Sequence, residues 1–425
     1  MNKVQSVSSQ SCFRMGALLF LGSVLYFFTN VQRVAVPGSI FDELQRDLQI
    51  TALQVTSFGA VFMYIYAASQ LFIGLLTDCI GGVKVLLTGA ILFSIGAILF
   101  PLAPNLPLLY LSRGFVGFGA SMFYVSLVQI AAQAFPKQFT VLMGWLLLIG
   151  CFGGIAANAP FVFFVQKMGW INTLLVIGII TAVAGILVTL LALQGGKGSV
   201  KKVKFDLSLF PKVLKDKNNI VVYLSMGICF GIYYVIHTTV GKKFLEDFCE
   251  MGAASAAMVL SVMGIMSAAA SFLCVYISRL LKDRKKLFFI MSAIVTASST
   301  LLIIFCIISG VKSSVIVLFF WLLSYFCNIA PINLTVLRDI NPPERLGTAV
   351  SCGNCFSYLM VAFLGSASGF FMDLFPAELI NGIPVYGKMS YLSLFIFLFL
   401  LSLPALYCAF RVPEITVQKT LNGEK

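Results

Sequence analysis

Residues 17–41 form an apolar run, with LLFLGSVLYFFTNVQRVAVPGSIF inside it, that is about one bilayer long and carries a single charge, Arg33. At about 1.5 Å of rise per residue, roughly 20 apolar residues cross a hydrocarbon core about 30 Å thick. The run therefore predicts a membrane-spanning helix with a guanidinium inside the bilayer. A charge at that depth is costly unless it faces water, a ligand or a partner. Tyr26, Asn30, Arg33 and Pro37 recur at spacings of four, three and four, which puts them on one helical face. One polar stripe on an otherwise apolar helix is expected to wall a solvated path. The bland alternative is an Arg33 that snorkels to the interface, and a position about two thirds of the way across argues against it.

Composition decides the class. With 60% hydrophobic and 11% charged residues and a mean hydropathy of +0.99, a chain of 425 residues is too apolar to be soluble. Apolar spans are expected near 15–40, 53–77, 85–100, 107–135, 139–165 and 171–193, then 219–241, 253–278, 287–309, 313–337, 346–372 and 390–410. This is an all-α integral membrane chain of twelve transmembrane helices with both termini on one side. The net charge of +13 would suit nucleic acid, but 21 of the 29 Lys and Arg fall on the terminus side, six on the other and two within spans. The basic residues mark topology and place both termini in the cytoplasm, as in a bacterial inner membrane. The first span is too long for a signal-peptide core, holds Arg33 and shows no convincing cleavage site, so it is expected to be retained.

Residues 194–218 carry seven lysines against two aspartates and divide the chain. The expected domains are a six-helix bundle over 1–193, a basic cytoplasmic linker over 194–218, a second bundle over 219–410 and a tail over 411–425. A basic loop beside a membrane is more often a topology determinant or a lipid-headgroup contact than a partner site. Landmarks repeat across it at nearly constant offset: Arg33 to His237 is 204 residues, Asp78 to Asp283 is 205, and Pro136 to Pro342 is 206. Two pseudo-symmetric halves in parallel orientation are a repeat scheme of transporters. His237 is the single histidine of the chain and mirrors Arg33.

Between the second and third spans stands Gly74-Leu75-Leu76-Thr77-Asp78-Cys79-Ile80-Gly81-Gly82-Val83-Lys84. Its glycines allow a tight turn, and Asp78 can accept hydrogen bonds from a helix terminus or pair with a base. The stretch resembles the G-x-L-x-D-x-x-G motif of the major facilitator superfamily. The second-half counterpart, Ser278 to Lys286, keeps Asp283 and the bases but not the glycines. In the fourth span, Arg113-Gly114-Phe115-Val116-Gly117-Phe118-Gly119-Ala120 is similar to the same superfamily's R-x-x-x-G-x-G-A motif. The resemblance covers essentially the whole chain and implies a secondary carrier working by alternating access. Gly74, Asp78, Gly81, Lys84, Arg113, Gly117 and Asp283 would then form its conformational gate. The fifth span lacks the G-x8-G-x3-G-P signature of the superfamily's drug exporters. The first span is similar to organic-anion and organophosphate carriers, in which an Arg there meets the anion; where organophosphate carriers offer a second Arg, this chain has Tyr234 and His237.

Helical spacing supplies further lining candidates. Trp321, Tyr325 and Asn328 form one stripe, bent by Pro331; Ser351, Asn354 and Tyr358 form another; Tyr66 and Gln70 share a face, and Asn158 stands alone. The bland alternative for each is a helix-packing contact. The expected substrate-binding set is Tyr26, Asn30, Arg33, Asn158, Tyr234, His237, Tyr325, Asn328, Asn354 and Tyr358. No Asp or Glu is expected deep in any span, which leaves His237 as a proton site, Arg113 in a gating role, or no proton coupling. A cationic cavity without acids should prefer anions or zwitterions such as carboxylates, amino acids or sugar acids.

Eleven cysteines lie mostly within spans, where Cys is a small apolar residue, so neither a disulfide framework nor a metal site is expected, Cys352-Gly353-Asn354-Cys355 included. No cofactor or nucleotide motif appears. The expected partners are a small-molecule substrate, the lipid bilayer and a coupling proton or ion, with the chain working as a monomer. The alternatives are a transporter-like solute sensor and an organophosphate or phosphate antiporter; an enzyme is disfavoured by one His and no buried carboxylate.

Overall fold

The computed structural model describes residues 9–194, 209–281, 284–312 and 314–414. Asp283 and most of the basic linker lie outside the described residues. Helices follow one another as α1 (Ser9–Ala35), α2 (Phe41–Leu48), α3 (Ala52–Ile80), α4 (Gly82–Leu102), α5 (Leu106–Ala134), α6 (Phe139–Ala156) and α7 (Ala159–Leu193). After the linker come α8 (Leu209–Leu214), α9 (Lys217–Val235), α10 (Gly241–Asp247), α11 (Ala253–Leu280), α12 (Lys285–Ser309), α13 (Ser314–Cys327), α14 (Ala330–Ile340), α15 (Pro343–Asp373) and α16 (Lys388–Arg411). The strands among the described residues are one antiparallel hairpin between α15 and α16, β1 (Glu378–Ile380) against β2 (Ile383–Val385).

Among the described residues eleven helical stretches are long and apolar enough to cross a membrane, and Val141–Ala156 is a shorter apolar helix. That twelfth span is broken after Ala156 and resumes over 159–168, and Gly169, at a φ of +80°, ends it by admitting a left-handed backbone. The tenth is likewise split into α13 and α14 just ahead of Pro331, which lacks an N–H for the ladder.

Two boundaries differ from the sequence expectation, each for a physical reason. The first span stops at Ala35, because Pro37 cannot continue the hydrogen-bond ladder and disfavours helix in the residue before it. Pro37 thus leaves the helical stripe, while Tyr26, Asn30 and Arg33 stay on it. The seventh span does not end at 241 but runs unbroken from Lys217 to Asp247 through a π-turn at Ile236–Val240. It therefore carries Glu246 and Asp247 as its last two residues, so the acids lie at the end of the span and not deep within it. Hydropathy alone could not see this continuation. The Lys242–Glu246 and Lys243–Asp247 pairs, at one-turn spacing, let charged residues stay helical and buried.

Caps come from near and far. Asn105 accepts from the Leu108 N–H at 3.0 Å to start α5, and Asp216 accepts from Asn218 and Asn219 to start α9. The N-terminus of α3 is capped by Asp373, at the end of α15, which accepts from the N–H groups of Ala52 (3.1 Å) and Leu53 (2.7 Å).

The chain forms two compact units whose borders fall inside helices. One takes residues up to Arg33, Ala68–Gly154 and residues 164 onward to the end of α7; the other takes Val34–Ala67, Ile155–Phe163 and the described residues from 209 onward.

Candidate functional site

In the first unit the predicted stripe is built as a linked row on α1. Asn30 Nδ2 donates to the Tyr26 carbonyl at 2.9 Å, and Arg33 donates through Nη2 to the Asn30 side chain. Tyr26 lies 5.7 Å, ring to ring, from Tyr124 of α5. The α6 backbone comes so close at Gly153 that a Cβ there would stand 2.5 Å from the Phe27 carbonyl and 2.9 Å from Asn30 Cβ. A glycine is needed for that approach, and it pins the segment of α1 that carries Asn30 and Arg33. The Arg33 side chain is half-buried and donates to a neutral amide.

Arg113 is fully buried in the same unit. Its guanidinium donates to the Gln32 side chain (3.2 Å) and the Gln32 carbonyl (3.3 Å) and lies 5.5 Å from the Phe100 ring. The motif that suggested a gate thus fixes the residue next to Arg33. At the α3–α4 turn, Gly81 has a φ of +90°. Sequence reasoning missed Gln129 of α5, whose amide closes the turn: Nε2 donates to the Thr77 carbonyl (3.1 Å) and to Asp78 (3.3 Å), and Oε1 accepts from the Gly82 N–H. Lys84 is exposed, Gly74 has open space around it, and Gly117 is buried within α5. A Gln near the end of an otherwise apolar helix was the signal for Gln129.

In the second unit His237 sits buried on the π-turn of the seventh span, a feature that recurs at functional positions. Its Nε2 is 3.1 Å from the Leu260 carbonyl. A carbonyl only accepts, so Nε2 carries the proton there and Nδ1, with no hydrogen-bond partner, is the free acceptor. Asn158, in the break between α6 and α7, places Nδ2 3.5 Å from the same Nε2. Aromatic rings extend from His237 in sequence of contact: Tyr233 stacked at 5.7 Å, Tyr234 edge-on at 6.3 Å, then Phe230, Tyr358 and Tyr66. Tyr66 comes from α3 and Tyr358 from α15, so the row joins elements distant in sequence.

The remaining predicted residues scatter. Asn328 donates to Ser267 Oγ at 2.6 Å and accepts, through its carbonyl, from Ser271. Tyr325 lies 5.3 Å from Phe326 and lines an apolar cavity of its own. Asn354 is exposed.

A further charged cluster gathers at the end of the seventh span. Lys243, fully buried, contacts Asp42 of α2 (2.7 Å), Asp247 (2.8 Å) and the Pro384 carbonyl (2.7 Å). Asp247 also accepts from the Tyr391 hydroxyl (2.7 Å) and the Tyr386 N–H (2.9 Å), and Lys242 pairs with Glu246 at 2.9 Å. The Tyr386 hydroxyl accepts from Gln45 (2.8 Å) and donates to Asp373 (3.2 Å). Tyr386 lies outside the spans, and its burial pushes the phenol above its ordinary pKa, an effect the Gln45 hydrogen bond opposes and the Asp373 charge reinforces. The phenol stays a donor.

Comparison with known proteins gives a family and a fold. The family model described as the Major Facilitator Superfamily matches residues 18–365. The sialic acid transporter NanX of Escherichia coli (strain K12) is 24% identical over 234 residues, which cover 53% of this chain and 56% of that protein; the chain thus spans about half the length of the curated relative it matches. A bacterial homologue of the human lysosomal transporter Spinster, solved inward-facing and unoccupied, superposes with a TM-score of 0.70 at 14% identity, over 95% of this chain and 98% of that one. A POT family transporter in complex with 5-aminolevulinic acid superposes with a TM-score of 0.74 at 12% identity, over 94% and 95%. At such identities the structural likeness is one of fold. The chain belongs to the Major Facilitator Superfamily, and its long apolar helices make it a multi-pass membrane protein.

Proposed function

We propose that this chain is a secondary carrier of a small anionic organic solute, of the carboxylate or sugar-acid class, and that Arg33 is the residue that meets the anion. The observation that carries this reading is the half-buried Arg33 guanidinium, held on α1 by the neutral Asn30 amide and steadied through Gln32 by Arg113. The relative that carries sialic acid, an acid sugar, supports the same class.

In this reading the segments 1–193 and 219–410 alternate as carrier halves joined by the basic linker 194–218, and Arg33 is reached first from one side of the membrane and then from the other. Both termini are cytoplasmic, the membrane is a bacterial inner membrane, and a monomer suffices. His237 Nδ1 accepts the coupling proton, with Nε2 held at the Leu260 carbonyl and the tyrosines 233 and 234 and Asn158 beside the ring.

Purified protein in liposomes, assayed with labelled sialic acid, gluconate and a neutral sugar, tests it. Arg33→Ala should lower uptake of the acids about tenfold to a hundredfold, the value of a charge-assisted hydrogen bond, and Arg33→Lys should retain part. Acid uptake unchanged in Arg33→Ala would overturn the assignment. Counterflow of labelled solute separates a carrier from a solute sensor, and a pH profile shared by wild type and His237→Gln removes the proton role.

A further inference from the structure

A cavity of about 240 Å³ lies among α11, α12 and α13, lined by Ala270, Cys274 and Ile277 on the first with Leu281 at its C-terminal cap, Leu287 and Met291 on the second, and Tyr325 on the third. Its wall is almost wholly apolar. Ala270, Cys274, Ile277 and the capping Leu281 follow spacings of four, three and four, so they form one stripe down the helix. Eleven residues at about 1.5 Å each make that stripe about 16 Å long. The space is a slot along the helix rather than a rounded chamber, and it is smaller than the ~300–1,000 Å³ of sites for bulky ligands.

The slot ends at the α11–α12 turn. There the Arg284 N–H donates to the Leu281 carbonyl and the Leu287 N–H donates to the Arg284 carbonyl, so Arg284 stands between the two leucines that close the lining. Leu281, Leu287 and Met291 form an exposed rim. Arg279 and Arg284 are exposed and Lys286 is half-exposed beside it, while Lys285 is engaged with Asp339 at 2.5 Å. Among the described residues no ion pair includes Arg279, Arg284 or Lys286.

We infer that this slot is a binding site for one anionic phospholipid, with an acyl chain lying along Ala270, Cys274, Ile277 and Leu281 and the phosphate headgroup held by Arg284 and Lys286. The two halves of the ligand match the two halves of the site. An apolar groove open at its rim in a membrane protein is bathed by acyl chains, which gain by filling it. The cations at one end select among lipids by headgroup charge. Neither a free phosphate nor a neutral lipid uses both. The site is distinct from Arg33 and from the π-turn at His237, and it does not depend on the cargo.

Native mass spectrometry and thermal unfolding of the full chain in mixed micelles test the site, with dioleoyl phosphatidylglycerol, dioleoyl phosphatidylcholine and inorganic phosphate as probes. Wild type should retain one phosphatidylglycerol in preference to phosphatidylcholine and melt higher with it, and inorganic phosphate at the same concentration should do neither. Arg284→Gln with Lys286→Gln should cut the preference about tenfold or more while leaving phosphatidylcholine retention as it was. Met291→Trp, on the exposed rim, should plug the slot and lower retention of both lipids. A headgroup preference that survives the double Gln variant, or a melting shift reproduced by inorganic phosphate, overturns the proposal. Equal retention by wild type and Met291→Trp overturns the chain part of it.

Discussion

Lys243 and Asp247 stand one helical turn apart at 2.8 Å, and Asp42 of α2 reaches the same ammonium at 2.7 Å, with the lysine side chain wholly buried. One cation between two carboxylates ties α2, the seventh span, the hairpin and the start of α16 into one cluster. Burial makes such a group costly to break: removing one partner of a buried pair strands the other charge, at about 3–5 kcal/mol. Lys243→Met should therefore lower the thermal stability of the detergent-solubilised protein steeply. Adding Asp42→Asn to it should restore part of the loss, since one stranded carboxylate is then neutral. Lys243→Met melting like wild type would show that the ammonium does not hold this cluster.

The same cluster gives a sign for alkaline pH. The Tyr386 phenol is raised above its unfolded value, near 10, chiefly by burial. The unfolded chain then loses this proton before the folded one does, so folding is favoured fully below pH 10 and less as pH rises beyond it. Stability should decline above pH 10, and Tyr386→Phe should decline less steeply over that window. The check is a series of unfolding midpoints from pH 8 to 11; parallel curves for the two proteins would place the titration elsewhere.

Much of this molecule can be read from its sequence, because a bilayer imposes a length and a polarity on every span. Twelve spans, the cation on α1 and both motifs follow from patterns within single helices. What could not be read depends on partners distant in the chain. The continuation of the seventh span to Asp247 rests on the one-turn pairs and on Asp42, some 200 residues away. Hydropathy registered only four charges and ended the helix. Gln129 was missed because its role lies in reaching the Gly82 turn from another helix. Tyr325 and Asn354 share helical faces with other polar residues, yet face an apolar slot and an exposed surface respectively. Periodicity tells which residues lie together on a helix and not what lies opposite them.

Gln129 offers a direct measurement of that hidden contact. Its amide serves the Thr77 carbonyl, Asp78 and the Gly82 N–H together. Gln129→Leu leaves the turn groups without partners, at about 1–3 kcal/mol for each that stays buried. Asp78→Asn and Gln129→Leu act on one network, so the double variant should lose less than the sum of the single losses. Additive losses in unfolding free energy would mean that Asp78 is held by something other than Gln129.

Arg113 and Gln32 allow the support of Arg33 to be separated from Arg33 itself. The guanidinium forks onto the side-chain oxygen and the carbonyl of Gln32, one residue from the proposed anion ligand. Gln32→Leu takes away a buried acceptor and should cost about 1–3 kcal/mol. Gln32→Glu replaces it by a carboxylate of the same reach and should hold or raise the melting temperature, since a charge-assisted pair with Arg is the stronger bond. Arg113→Lys keeps the charge but loses the fork. If Arg113 acts by fixing α1, all three variants keep the ability to bind an anion, and Gln32→Leu and Arg113→Lys raise the KM for acid uptake without changing which solutes are accepted. Gln32→Glu brings a negative charge beside Arg33 and should raise KM even where stability is gained. A rise in KM that tracks stability across the three variants would contradict this, because it would make the substrate effect a mere consequence of unfolding.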